Sequence, residues 1–504
     1  MSIHRAFGSI FAACFLIVAA CAPNELAPTS SDGEAAFVAA TLAPGDAVAG
    51  PHGSQPGQPI DDSGNVLVSD AVADRLAQAG GFVRINFRLG PHASDTAAFY
   101  AAYDTVVDRL RARGLQILGL MSNESWRGSQ DDWTANSYER TGRDGYNDYI
   151  DRFGYAFARI AKHYEGRIGA WEIWNEPNCW ANNPAPGVYT GCSFIYPSNF
   201  AALLTHCHSQ VHYYNHIDVQ IVSGGLFGHD LGGFGKGPAG VDYLNSTYDA
   251  GINRTGKWSW AKSTYGSYPL DAVGQHIYIN QGGAVSTSWF RTYLDWMHGV
   301  VTKWEGSAST KPTWITEYGW TQPSVDEATQ ASNLAQALSA MKGKSYVAHA
   351  IWFQNDDGGP GFAYGLFRGD GSKKPAQTQF RAQAAYQGKK SDGTSVKKIV
   401  DAWVGNGGMA GNGSPYDNGG GIYAHEWDYG YVQDFRGGSV GPCAIFDTGY
   451  RVAMGFWQTY LNGGYHSRLR FPTSGEYSIG SGVVRQDFQG GYMTWDARNG
   501  VRVY

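Results

Sequence analysis

Two short segments of the sequence each carry one glutamate at the end of a strand-like run. The first reads Ile-Trp-Asn-Glu-Pro-Asn over residues 173–178 and contains Glu176, and the second reads Trp-Ile-Thr-Glu-Tyr-Gly-Trp over residues 314–320 and contains Glu317. Two carboxyl groups can break a glycosidic bond if one protonates the leaving oxygen while the other acts on the anomeric carbon as a carboxylate. The sequence therefore offers one candidate for each role.

The chain around these glutamates alternates between strand-like and helix-like segments. Apolar runs predict seven strands, at 82–87, 115–121, 169–174, 219–224, 272–278, 313–316 and 347–353. Between them, segments such as 97–113 and 146–164 have apolar residues at helical spacing. Alternation of this kind indicates a parallel sheet covered by helices, and the lack of a Gly-rich phosphate loop favours a (β/α)8 barrel over an open doubly wound sheet. An eighth strand, the first in the chain, is expected within 36–42 or 66–68.

The two motifs also stand in a specific order. Trp-Asn-Glu-Pro-Asn and Thr-Glu-Tyr-Gly-Trp resemble the fourth-strand and seventh-strand signatures of the retaining glycoside hydrolases of clan A, with families 39 and 5 as the nearest. The resemblance implies a TIM barrel whose active centre lies at the C-terminal ends of the strands. It also implies that Glu176 is the general acid/base, that Glu317 is the nucleophile, and that Asn175 binds the sugar hydroxyl next to the anomeric carbon.

Further matches follow in the same order between residues 82 and 386. Arg84 resembles the second-strand arginine that keeps the nucleophile ionised, since a nearby guanidinium lowers the pKa of a carboxyl group. His276 and Tyr278 resemble the sixth-strand pair, in which the tyrosine hydrogen-bonds the nucleophile. Trp352 resembles the eighth-strand tryptophan beneath the reacting sugar, and Trp320 is a further candidate for a sugar subsite. As alternatives, Arg84 could belong to a buried ion pair of purely structural importance, and His276 could be a core histidine hydrogen-bonded to the backbone.

The N-terminus is typical of an exported protein. His4 and Arg5 precede an apolar stretch over residues 10–20 that is too short for a membrane-spanning helix, and Val-Ala-Ala-Cys at 18–21 resembles a bacterial lipobox. We expect a lipoprotein signal peptide over residues 1–21 with lipidation at Cys21, or alternatively an ordinary secretory signal. Residues 22–62 are predicted to be a flexible linker and 63–390 the catalytic barrel. The expected location is the bacterial cell envelope, lipid-anchored or otherwise secreted.

The composition of the chain indicates which classes of binding partner to expect. Aromatic residues make up 14% of the 504 positions, charged residues only 16%, and the net charge is -6. Without a Lys or Arg run, nucleic acid is not expected as a partner, whereas many aromatic faces suit stacking on a polysaccharide or oligosaccharide. Contact with a membrane is expected only through the lipid anchor. No CxxC or His-rich spacing indicates a metal site, and no organic cofactor is expected.

Four cysteines remain once the two in the predicted signal region are set aside. They are Cys179, Cys192, Cys207 and Cys443. An oxidising compartment favours disulfides, and four cysteines allow three pairings. Cys179 with Cys192 is the predicted pair because it would close a short loop directly after the first glutamate motif. Cys207 and Cys443 are left open as bonded or free.

Residues 391–504 differ in character from the rest. Val-Gln-Asp-Phe-Arg-Gly-Gly at 432–438 closely matches Arg-Gln-Asp-Phe-Gln-Gly-Gly at 485–491, and helical periodicity disappears. The repetition predicts an accessory domain of duplicated small β units. Segments 469–477 and 482–495 resemble an LGFP-type repeat of bacterial envelope proteins, which implies a cell-envelope glycan as a second partner.

The sequence thus predicts a retaining glycoside hydrolase that cleaves a β-linked polysaccharide, with endo action favoured by the number of aromatic residues available for subsites. Two alternatives stay open. One is a surface polysaccharide-binding lipoprotein whose barrel has lost activity, and the other is a transglycosylase that passes the intermediate to another sugar.

Overall fold

The computed structural model describes residues 52–113, 115–134, 147–179, 193–227, 239–254, 257–342, 344, 346–358, 362–384, 390, 396–406, 412, 415, 424–438 and 440–504. The predicted signal peptide, Cys21 and most of the predicted linker lie outside these residues. In the part of the chain that is described, every helix is too short or too polar to cross a membrane.

A parallel β-barrel forms the main body of the described chain. Its eight strands are β1 (His52–Ser54), β2 (Phe82–Asn86), β3 (Gln116–Met121), β4 (Ala170–Ile173), β5 (Gln220–Ser223, continued by Leu226–Phe227), β6 (Val273–Ile277), β7 (Thr313–Tyr318) and β8 (Val347–Trp352). Neighbours pair in parallel in chain order, and β1 pairs with β8. The two halves of β5 pair with β4 and β6, and a parallel bridge joins Val222 to Ala272. The sheet therefore closes, which confirms the predicted (β/α)8 barrel.

Helices alternate with these strands and bury one face against them. They span Asp70–Ala79, Ala97–Arg111, Gln130–Thr134, Asp148–His163, Pro197–His208, Gly240–Asn253, Trp258–Tyr265, Thr287–Glu305, Glu327–Lys342 and Pro375–Ala384, with a π-helical turn at Ser209–Tyr214. Polar caps fix several of their starts: the side chains of Ser69, Thr96, Asn147 and Ser286 each accept a hydrogen bond from a backbone N–H in the first turn. The two helices predicted from apolar spacing are confirmed as Ala97–Arg111 and Asp148–His163.

The first strand lies where the sequence did not indicate one. β1 falls inside the segment predicted as a linker, so the barrel begins earlier than expected, while Val66 makes only an isolated bridge to Ile60. The other predicted location, 36–42, lies outside the described residues. A strand that reads His-Gly-Ser has no hydrophobic period to reveal it. Its glycine is needed for close packing, because a Cβ at Gly53 would overlap the carbonyl of Phe82 on β2.

The C-terminal region forms two antiparallel four-stranded sheets within the residues described. The first contains β9 (His425–Trp427), β10 (Gly430–Gly438), β11 (Gly441–Phe446) and β12 (Arg451–Ala453), and the second contains β13 (Tyr477–Gly480), β14 (Val483–Phe488), β15 (Gly491–Asp496) and β16 (Gly500–Val503). The repeated segments begin in β10 and β14, the second strand of each sheet, and their glutamines Gln433 and Gln486 are both buried. The structure therefore contains two similar β units at the places where the sequence repeats.

The C-terminal region also contains helices, although its sequence shows no helical periodicity. Helices occur at Lys397–Gly405, Met454–Asn462 and His466–Leu469. Each is too short to show a sustained helical period in the sequence. The middle one still buries Phe456, Trp457 and Tyr460 on one face, so packing rather than length stabilises it.

The C-terminal region also covers one end of the barrel. Barrel residues near the starts of strands, such as Phe82, Ala170 and Trp314, share one apolar cluster with Trp403 and Ile445 of the C-terminal region. The rings of Phe82 and Trp314 meet edge to face at 5.7 Å. The C-terminal region therefore closes the end of the barrel at which the strands begin, and the opposite end carries the loops that follow the strands.

We predict that Trp403→Ala lowers the free energy of unfolding by about 3–5 kcal/mol, because it removes a large side chain from this shared cluster. Trp403 is 2% exposed, whereas the control Trp289 on a barrel helix is 59% exposed. Trp289→Ala should change stability by less than about 0.5 kcal/mol. Urea unfolding of both variants checks this, and equal small losses would mean that the C-terminal region does not support the barrel.

Candidate active site

Six residues that the sequence singled out meet at the C-terminal ends of the strands. They are Arg84 in β2, Asn175 and Glu176 directly after β4, His276 in β6, Tyr278 directly after it, and Glu317 in β7. Hydrogen bonds and ion pairs join all six into one network. The parallel barrel explains the meeting, because it brings the ends of strands that are distant in sequence to one face.

The turn that carries Asn175 and Glu176 is strained. Trp174 has φ 77° and Glu176 has φ 45°, both in the left-handed region that non-glycine residues rarely adopt. Surrounding contacts hold this conformation: the Trp174 indole donates to the carbonyl of Ser193 (2.6 Å), and the Ser193 hydroxyl donates to the carbonyl of Asn175 (2.5 Å). These contacts therefore hold the turn, and with it the position of the Glu176 carboxyl group.

Arg84 is the centre of the network and is only 3% exposed. Its Nε donates to Glu172 Oε2 (2.5 Å), and its Nη1 donates to Glu317 Oε1 (2.6 Å) and to Gln55 Oε1 (3.0 Å). Its Nη2 donates to Asn175 Oδ1 at 2.9 Å. One buried cation therefore pairs with two carboxylates, and every terminal nitrogen of the guanidinium has an acceptor.

Glu317 is surrounded by groups that favour its ionised form. Tyr278 donates its hydroxyl to Glu317 Oε2 at 2.7 Å, and His276 Nδ1 lies 3.6 Å from the same oxygen. Burial alone would raise the pKa of Glu317, but the charges of His276 and Arg84 and the hydrogen bonds from Tyr278 and Arg84 outweigh it, so the pKa is lowered. Burial and the adjacent carboxylate raise the pKa of Tyr278 well above its usual range, which keeps the phenol a donor.

Glu176 has the opposite tendency. His276 Nδ1 lies 2.8 Å from Glu176 Oε1. Burial raises the pKa of Glu176, the histidine opposes the rise, and the charge of Glu317 adds to it. Burial would lower the pKa of His276, but the carboxylates of Glu317 and Glu176 outweigh it and raise the pKa. The two glutamates are thus driven toward different protonation states, which is the arrangement that acid and nucleophile roles require.

These residues also have the donor types that a metal ion would use. Glu176, His276 and Glu317 each offer one possible ligand atom, and these three atoms lie within 4.8 Å of one another. The donors are already engaged, however, because His276 bonds Glu176 and the guanidinium of Arg84 bonds Glu317. A second cation beside that guanidinium would be repelled. The geometry fits acid–base chemistry better than metal binding.

The two tryptophans expected to line sugar subsites are buried. Trp320 and Trp352 are both fully enclosed, and their indole nitrogens donate to the carbonyls of Ile279 (2.9 Å) and Tyr364 (2.8 Å). A buried indole N–H requires a partner, and both find one inside the fold. The structure therefore does not bring either ring to an open surface beside the glutamates.

Two phenylalanines are better placed than these tryptophans. Phe227 and Phe353 are half-buried, and their ring centroids lie 6.0 Å and 6.1 Å from that of Tyr278, which contacts Glu317. Sequence reasoning missed both, because nothing in their local pattern distinguishes them from core residues. Each directly follows or ends a barrel strand, and that position is the signal that could have identified them.

Sequence reasoning also missed a third carboxylate, Glu172 in β4. It is fully buried, and its Oε1 accepts hydrogen bonds from Thr316 Oγ1 (2.8 Å) and the backbone N–H of Gly225 (2.9 Å). A charged residue within the otherwise apolar run Ala-Trp-Glu-Ile-Trp was the available signal. Gln55 carried no such signal, since the strand before it was not recognised.

The structure describes three of the four cysteines considered for disulfides, Cys179, Cys207 and Cys443. Cys179 is disulfide-bonded, but Cys192 lies outside the described residues, so the predicted pair stays a prediction. Cys207 and Cys443 are free and buried.

Comparison with solved structures finds matches of low identity and low TM-score. A family 39 glycoside hydrolase from Bacteroides cellulosilyticus WH2 is 16% identical over 80% of this chain and 71% of its own, with a TM-score of 0.45. A glucosidase from Croceicoccus marinus is 18% identical over 66% of each chain, with a TM-score of 0.46. An endo-β-1,4-glucanase from Xanthomonas axonopodis pv. citri is 16% identical over 66% of this chain and 98% of its own, with a TM-score of 0.42. At such low similarity, the chemistry has to be argued from the chain's own residues.

No curated protein matches the chain in sequence. Residues 251–380 match the family model described as "Glycosyl hydrolase catalytic core". The matched segment contains β6, β7 and β8, and with them His276, Tyr278 and Glu317. It confirms the resemblance to glycoside hydrolases and the enzyme class predicted from the sequence, a glycosidase that hydrolyses O-glycosyl bonds.

Proposed function

We propose that this protein is a retaining glycoside hydrolase that cleaves β-glycosidic bonds in a polysaccharide through a covalent glycosyl-enzyme. The observation that carries the proposal is the short separation of the two glutamates, whose nearest carboxyl oxygens lie within 4.8 Å. Retaining enzymes hold these groups about 5–5.5 Å apart, while inverting enzymes keep about 6.5–9.5 Å to admit a water molecule. A short separation favours direct attack by one carboxylate.

In the first step, Glu317 attacks the anomeric carbon as a carboxylate, and the bond to the leaving oxygen breaks. Glu176 gives its proton to that oxygen, so the leaving sugar departs as a neutral alcohol. The lowered pKa of Glu317 and the raised pKa of Glu176 support this division of roles. Arg84 Nη2 donates a hydrogen bond to Asn175 Oδ1, which leaves the Asn175 amide nitrogen to donate to the neighbouring sugar hydroxyl.

In the second step, Glu176 acts as a base. Once Glu317 is esterified, its negative charge no longer raises the pKa of Glu176, so the acid/base residue is stable as a carboxylate. Glu176 takes a proton from water, the water oxygen bonds to the anomeric carbon, and Glu317 leaves as a carboxylate. The sugar recovers its original anomeric configuration, and both glutamates return to their starting states.

We also propose an endo mode of action on a polymeric substrate. The half-buried rings of Phe227, Tyr278 and Phe353 supply aromatic surface beside Glu317, and the high aromatic content of the chain suits several consecutive sugar subsites. Sugars stack their apolar faces on such rings.

Export and envelope attachment belong to the same proposal. They rest on the lipobox-like Val-Ala-Ala-Cys, with Cys21 as the lipidated residue. In the C-terminal region, Tyr477, Trp495 and Tyr504 expose large parts of their rings, which would suit contact with a cell-envelope glycan.

The two glutamates should respond differently to substitution. Glu317→Gln should abolish cleavage of every substrate, because the covalent intermediate cannot form. Glu176→Ala should lower kcat by about 10²–10⁴-fold on natural substrates, yet it should still release a dinitrophenyl leaving group in the first step, since that group needs no proton. Stopped-flow release of dinitrophenol and reducing-sugar assays measure the two effects.

Glu165→Gln is the matched control, because Glu165 lies on the surface and pairs only with Lys162 among the contacts seen, so activity should be unchanged. An active Glu317→Gln enzyme would contradict the mechanism. A wild-type protein that binds polysaccharides but cleaves none would instead support the inactive binding lipoprotein.

Endo action predicts a spread of products from the start of the reaction. When a panel of β-linked polysaccharides is digested, mass spectrometry of early samples should find oligosaccharides of several lengths and few monomers. Release of a single small sugar from the outset would contradict endo action. Products that lengthen when an acceptor sugar is added would identify a transglycosylase.

A further inference from the structure

Glu172 links more parts of the barrel than either of the two glutamates assigned to the reaction. Its side chain bonds Arg84 of β2 (2.5 Å), Thr316 of β7 (2.8 Å) and the N–H of Gly225 between the two halves of β5 (2.9 Å). It lies four residues before Glu176 on β4, and Thr316 directly precedes Glu317. Glu172 therefore connects the strand of the acid/base residue to the strand of the nucleophile, with Arg84 between them.

Gly225 is the residue that makes this contact possible. A Cβ at this position would lie 2.1 Å from the ring of His276 and 2.6 Å from Thr316 Oγ1. Only a glycine can therefore bring its N–H to the carboxylate while the histidine keeps its place beside Glu176. The surroundings of Glu172 are built closely around a fixed carboxylate.

Glu172 also contributes to the balance of positive and negative charge around Arg84. The titratable groups that face it or its partner Arg84 are Glu176, His276, Tyr278 and Glu317. In the resting enzyme of the mechanism above, Arg84 and a protonated His276 balance the carboxylates of Glu172 and Glu317, while Glu176 carries its proton and Tyr278 is neutral. In the covalent intermediate Glu317 is a neutral ester and Glu176 a carboxylate, so the balance is the same. Glu172 supplies one of the two negative charges in both states.

We propose that Glu172 is a positioning residue for the reaction: its carboxylate holds the Arg84 guanidinium against Glu317, and its negative charge offsets the positive charge that Arg84 presents to the two reacting glutamates. The inference rests on the retaining mechanism proposed above. Glu172 touches no substrate in this role and acts through Arg84.

Removal of the Glu172 charge should change the pH at which the two reacting glutamates lose their protons. Without the Glu172 carboxylate, the positive charge of Arg84 is balanced less well. The remaining positive charge favours the carboxylate forms of Glu176 and Glu317. Glu317 would then lose its proton at lower pH, which moves the acidic limb of the activity profile down. Glu176 would also lose its proton at lower pH, which moves the alkaline limb down. The direction is the same whether His276 is protonated or neutral.

Glu172→Gln in the full-length chain tests the proposal through the pH profile of kcat/KM, which reports groups of the free enzyme. Both limbs should move to lower pH by about one unit, so that activity on the alkaline side falls about tenfold at fixed pH. Thr316→Val is the matched control. It removes a neutral hydrogen bond to the same carboxylate and leaves every charge in place, so it should lower activity or stability without moving either limb.

Limbs that stay in place in Glu172→Gln, or that move to higher pH, would overturn the proposal. Glu172→Asp covers the case in which that variant does not fold. It keeps the negative charge but shortens the side chain that reaches Arg84, so kcat should fall while both limbs stay at the wild-type pH. Limbs that move in Glu172→Asp would also overturn the proposal. A wild-type protein without glycosidase activity would refute the proposed function instead.

Discussion

A buried guanidinium bonded to two carboxylates is the interaction on which this site depends. Arg84, Glu172 and Glu317 are almost fully enclosed, and a charge in such surroundings costs several kcal/mol unless a partner neutralises it. Removal of Arg84 would leave both buried carboxylates without the cation that they share. The neutral acceptor Gln55 shares Nη1 of Arg84 with Glu317, and Asn175 accepts from Nη2, so the orientation of the guanidinium is fixed before any ligand arrives. The reactive carboxylate is thereby held both in place and in its ionised form.

The fold supports this cluster from two sides. Strand ends at one face of the barrel bring together residues that are far apart in the chain, and the strained turn after β4 directs Glu176 toward His276. At the other face, the C-terminal region covers the apolar starts of the strands. The C-terminal region therefore packs where the strands begin, and the loops at their opposite ends are available to shape a binding surface.

The sequence predicts most of the polar cluster. Glu176 and Glu317 stand out as single glutamates at the ends of strand-like runs, and Arg84 and His276 follow from the resemblance to the strand signatures of clan A glycoside hydrolases. β1 could not be predicted, since three residues reading His-Gly-Ser show no period, and Gln55 was lost with it. The burial of Trp320 and Trp352 could not be predicted either, because a sequence does not reveal on which side of a barrel wall an indole finds its hydrogen-bond partner. The role of Glu172 depends on Thr316 and Gly225, distant residues whose proximity only the closed barrel establishes.

In the proposed mechanism the two carboxyl groups are too close for a water molecule to act between them, so one of them attacks the sugar directly. Proton NMR of the anomeric signals, recorded during the first minutes of hydrolysis of a β-linked substrate, distinguishes this attack from attack by water. Retention predicts that the β-anomer of the new reducing end accumulates first and then mutarotates toward the equilibrium mixture. If the α-anomer forms first, the reaction inverts configuration, and the direct attack by Glu317 is ruled out.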